Sequence, residues 1–66
     1  SMSNRLYLIS NKLSQLDKDI IILTKQGESI TYIAKTLQIS RFTVYYRFKR
    51  IKKLLQNAEK KRYTIQ

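Results

Sequence analysis

Phe42, Tyr45, Tyr46 and Lys49 recur at spacings of three and four within RFTVYYRFKRIKKLL, residues 41–55. On an α-helix those spacings bring all four to one side. Together they offer flat rings, phenolic hydroxyls and one ammonium. That chemistry suits base-pair edges in a DNA major groove, where a lysine can donate to guanine O6 and N7 and a ring can pack on a thymine methyl. Ser40, Arg41, Thr43, Arg47, Arg50, Lys52 and Lys53 flank the set. They are hydroxyls and cations of the kind that hold phosphate oxygens, fixing register without reading sequence.

Little other chemistry is on offer. The chain has no Cys and no His, which removes disulfides and the usual zinc sites. Only four acids are present, Asp17 and Asp19 read as helix-start residues, and no nucleophile–base pair or Gly-rich phosphate loop is present. We therefore expect no enzyme, no metal and no cofactor. Charge is the strongest global feature, at +10 over 66 residues. It is also uneven: residues 1–40 carry five bases and three acids, while residues 41–66 carry nine bases and one acid. So lopsided a field points to a polyanionic partner.

The elements that must position these residues read as helices throughout, with no Pro, one Gly and no repeat. A chain this short supports one small domain, 1–66. Ser1 before Met2 reads as a cloning remnant, no signal peptide is visible, and the longest apolar run, Ile20–Leu23, is far short of a membrane span. Leu6, Ile9, Leu13 and Leu16 suggest a first helix over 3–14. Asp17 stands where an N-cap belongs, before a second helix over 18–26 that is expected to be buried on most sides. Gly27 stops it. Ser29 caps a third helix, about 30–37, carrying Ile33, Ala34 and Leu37. Gln38-Ile39 form a short turn around a buried Ile39, and Ser40 caps a last helix without a break before about residue 60. Two helices joined by so short a turn, over about 29–50, have the layout of a helix-turn-helix.

At about 100° per residue the last helix has two faces. Val44, Phe48, Ile51, Leu55 and Ala58 form an apolar stripe with Leu54 at its edge. Phe42, Tyr45, Tyr46, Lys49 and Lys53 lie opposite. Arg47 borders the stripe, so its stem is expected half-buried, with the guanidinium on a phosphate or on an internal acid such as Asp19. Thr31 and Lys35, on the preceding helix, are expected beside the DNA backbone. Tyr32 suits either that role or the core.

The stretch 16–54, LDKDIIILTKQGESITYIAKTLQISRFTVYYRFKRIKKL, resembles the LuxR/GerE-type DNA-binding domain. The likeness rests on Leu16, Asp19, Gly27, Ile33-Ala34, Leu37, Ile39-Ser40, Thr43-Val44, Ile51 and Lys53-Leu54, in register. Asp17 stands where that family has Thr. The resemblance implies base contacts from the residues after Thr-Val, here Tyr45 and Tyr46, and from Lys49. Arg47 stands where the family usually has His. In that respect the chain looks more like region 4 of bacterial sigma factors, and the resolvase-type helix-turn-helix is similar too.

The expectation is thus an all-α, small helix-turn-helix domain of about four helices with a long C-terminal recognition helix. Its function would be sequence-specific binding of double-stranded DNA as a bacterial transcription regulator, in the cytoplasm at the nucleoid. A homodimer through the C-terminal helix and a contact with RNA polymerase are the further partners considered, and no membrane. The competing reading is a sigma-like or adaptor module that docks on transcription machinery, since the apolar stripe alternates four and three as a coiled-coil seam does.

Overall fold

The structure, a computed structural model, describes residues 6–64, with side chains described for residues 6–59. A 3₁₀ helix (Tyr7–Lys12) precedes three α-helices, α1 (Gln15–Lys25), α2 (Ile30–Leu37) and α3 (Arg41–Thr64). Every element among the described residues is a helix, as expected, and the last runs unbroken through 24 residues.

The first element differs most from expectation. An α-helix over 3–14 gives way to six residues of 3₁₀ helix, and residues 3–5 lie outside the described part. Leu6 and Ile9 are three apart, which aligns them on one edge at three residues per turn. The Ser10 hydroxyl donates to the Tyr7 carbonyl at 3.1 Å, a local bond that competes with the α-helical ladder. Leu13 then turns extended, so a longer helix is never nucleated.

Ser14, not Asp17, caps α1. Its hydroxyl accepts from the Asp17 N–H at 3.3 Å, and the Asp17 carboxylate accepts from the Ser14 N–H at 3.0 Å. This is a reciprocal capping box read from Ser14-Gln15-Leu16-Asp17, and it starts the helix at Gln15 rather than 18. Within α1, Ile20 is buried, Leu16 and Leu23 are half-buried, and Ile22 is exposed. The helix is therefore two-faced rather than buried on most sides.

Gly27 closes α1 at φ 84°. Its N–H donates to the Thr24 carbonyl and the Glu28 N–H to the Leu23 carbonyl, the paired hydrogen bonds of a left-handed C-terminal cap. Ser29 accepts from the Tyr32 N–H at 3.1 Å and starts α2. The turn that follows repeats the cap without glycine: Gln38 sits at φ 57°, ψ 44°, its N–H bonded to Lys35 and that of Ile39 to Ala34. Ile39 is half-buried rather than fully buried. Ser40 accepts from the Thr43 N–H at 3.0 Å and starts α3.

Two apolar clusters hold these pieces. Ile20, Ile33, Ala34 and Val44 join the three α-helices, with Leu16, Leu23, Leu37 and Phe48 packed around them. Leu6, Ile9, Ile51 and Leu55 seat the 3₁₀ helix against the second half of α3, with Ala58 and Leu54 alongside. The apolar stripe of α3 is thus used by the chain's own core. Among the described residues, no helix is long and apolar enough to cross a membrane.

Candidate nucleic-acid interface

The caps and the small Ala34 set where α3 leaves the core. Val44 is fully buried beneath α2, which fixes the rotation of the helix about its axis. The opposite side then has to face water. Phe42 is 78% exposed, Tyr45 61% and Tyr46 59%, and Lys49 and Lys53 are exposed as well. Neither tyrosine packs into the core. Apolar rings left this open on a small domain mark an interaction surface.

The flanking residues divide. Arg41, Thr31 and Lys35 are exposed, and Tyr32 is exposed too, so it does not belong to the core. Thr43 is half-buried, and its hydroxyl lies 2.9 Å from that of Ser40, so both hydroxyls are partly spent on starting α3. Lys52 lies around the helix, where it rims a groove between α1 and α3 lined by Ile21, Phe48, Ile51 and Leu55.

Arg47 and Arg50 have an internal partner. Asp17 is fully buried, and its two oxygens accept from Arg47 Nη1 at 3.2 Å and Arg50 Nη1 at 3.0 Å. Arg47 Nη1 also lies 3.4 Å from the Ser14 hydroxyl, and Arg50 Nη2 lies 3.5 Å from the Lys12 carbonyl. The acid that meets Arg47 is therefore Asp17 and not Asp19, which instead accepts from Gln15 Nε2 at 3.0 Å. Both guanidiniums stay partly open, at 30% and 41% side-chain exposure, and each keeps further N–H groups. Burial drives the Asp17 carboxyl upward, but the Ser14 N–H and hydroxyl together with the Arg47 charge outweigh it and hold it below its ordinary value.

This clasp went unread in the sequence. The local signal was the Ser-x-x-Asp spacing, which would have moved Asp17 from the cap to the first turn, facing inward. A carboxylate there needs cations, and Arg47 and Arg50, three apart, lie on the matching side of α3.

A short capped helix, a tight left-handed turn and a second helix with its outer face bare make up the arrangement. The family model described as the helix-turn-helix domain of resolvase matches residues 12–52. That bears out a helix-turn-helix domain and points to the resolvase type without singling out the LuxR/GerE type. No curated protein and no solved structure matches.

Proposed function

Since the chain belongs to the resolvase-type helix-turn-helix family of DNA-binding domains, we propose that it binds double-stranded DNA sequence-specifically and acts as a transcription regulator. In this reading the first turns of α3 enter the major groove. Phe42, Tyr45, Tyr46 and Lys49 meet base edges. Thr31, Lys35, Ser40, Arg41, Thr43 and Lys53 hold phosphates, aided by whatever donors Arg47 and Arg50 retain and by Lys52 at the margin. The observation that carries the proposal is the bare outer face of α3: three rings and a lysine with no protein over them.

The reading is tested by gel shift with a selected duplex and a scrambled one. Tyr45→Ala and Lys49→Ala are each expected to weaken discrimination between the two by roughly 1–3 kcal/mol. Unchanged discrimination in both variants overturns the base-contact assignment. Light scattering on the free protein and on the complex tests the homodimer, for which the second half of α3 is the proposed surface.

A further inference from the structure

The outer face of α3 is unusual in what it lacks. Residues 41–53 hold no Asn, Gln, Asp or Glu, so the face has no bidentate reader of adenine and no carboxylate to accept from the cytosine amino group. Arginine is the commonest reader of guanine, yet Arg47 and Arg50 are turned toward the buried Asp17. Arg41 stands at the first position of the helix, about 100° round from Phe42. The polar vocabulary left at the centre is Lys49 and two phenolic hydroxyls.

Phe42 narrows it further. Its ring has no donor or acceptor and is 78% exposed. In a major groove the one feature that rewards such a ring is the C5 methyl of thymine. Tyr45 and Tyr46, one turn on, present rings on the same side. Lys49 follows seven residues after Phe42, about 10 Å along the helix axis, a length that spans at most about three base-pair steps.

Resting on the reading of α3 as the groove-entering helix, we infer that the preferred site is methyl-read. T·A pairs put their thymine methyls against Phe42 and a neighbouring tyrosine, with a G·C pair within about three steps beneath Lys49. Specificity then comes from apolar contact more than from hydrogen bonds.

The test begins with selection of duplexes from a random pool and continues with synthesis of the best site carrying deoxyuridine for thymine, which removes the methyl and keeps the base-pair hydrogen bonds. Binding is expected to weaken about fourfold for each contacted methyl, and about fifteenfold for two. Phe42→Ala is the second arm. With its side chain in solvent it keeps the fold, checked by circular dichroism, and it is expected to lose about fourfold of the thymine-over-uracil preference. Equal binding of the thymine and uracil duplexes overturns the inference while leaving DNA binding standing. So does a selected site with no T·A pair within three steps of the required G·C pair, or a thymine preference that Phe42→Ala leaves intact. If no selected duplex outcompetes a scrambled one, the groove-reading proposal itself falls, and the methyl inference falls with it.

Discussion

Asp17 is the buried charged side chain among the described residues, and its surroundings decide how the domain responds to substitution and to acid. Four donors converge on its two oxygens, from Ser14 and from two arginines of α3. Asp17→Asn would keep the shape, drop the charge and leave two guanidiniums facing a neutral amide. Such a loss in a fully buried pair costs about 3–5 kcal/mol. Here the arginines are partly hydrated, so about 2–3 kcal/mol is expected, read from a lower urea midpoint. The acid response has a definite sign. Folding holds the carboxyl below its ordinary value, so the unfolded chain takes up the proton first as pH falls. The contribution of Asp17 is complete above the unfolded carboxylate value of about 3.9 and is lost as pH drops through the folded value beneath it. The urea midpoint should therefore fall below about pH 4, and fall less steeply in Asp17→Asn.

At the scale of elements, the turn between α2 and α3 carries a cost that glycine would remove. Gln38 holds a left-handed conformation that crowds the Cβ of an L-residue. Gln38→Gly should raise stability by about 0.5–1 kcal/mol, seen as a higher urea midpoint with the slope unchanged. The greater freedom of glycine in the unfolded chain offsets part of the relief. The helices that form the turn were legible because their signals are local. Ser29 and Ser40 cap by reaching three residues ahead, Gly27 needs only its own φ, and Ile33, Ala34 and Val44 follow helical periodicity. The rest was not legible for reasons equally physical. Leu6 and Ile9, three apart, suit an α- or a 3₁₀-helix alike, and the surface they meet, Ile51 and Leu55, lies more than forty positions away. Arg47 and Arg50 find Asp17 across 30 and 33 positions, a pairing no local pattern states. The outer face of α3 was readable because Val44, Ile51 and Leu55, buried at helical spacing, orient it.

The described part of the chain is elongated, 44 × 20 × 17 Å, and most of the positive charge of the sequence belongs to residues 41–66. For a polyanion that concentrates the attraction along one helix. DNA affinity should fall linearly on a log–log plot against salt, with a slope of about −0.9 for each phosphate neutralised. Lys53 is exposed on the outer face, so Lys53→Gln should make that slope shallower by about 0.9, measured by fluorescence anisotropy from low to moderate salt. Removing Arg50 should change the slope less, since a carboxylate already balances part of its charge.

One consequence follows from α3 being uninterrupted. Its opening turns carry the bare rings, while Ile51 and Leu55 are bolted to the N-terminal segment, so the two ends share a single angular phase. Adding one alanine between Lys49 and Arg50 would rotate everything downstream by about 100°, swinging Ile51 and Leu55 away from Leu6 and Ile9 and pulling Arg50 off its carboxylate. The same alanine added after Ala58 would turn only the trailing end. Tolerance to insertion should therefore change abruptly along this one rod.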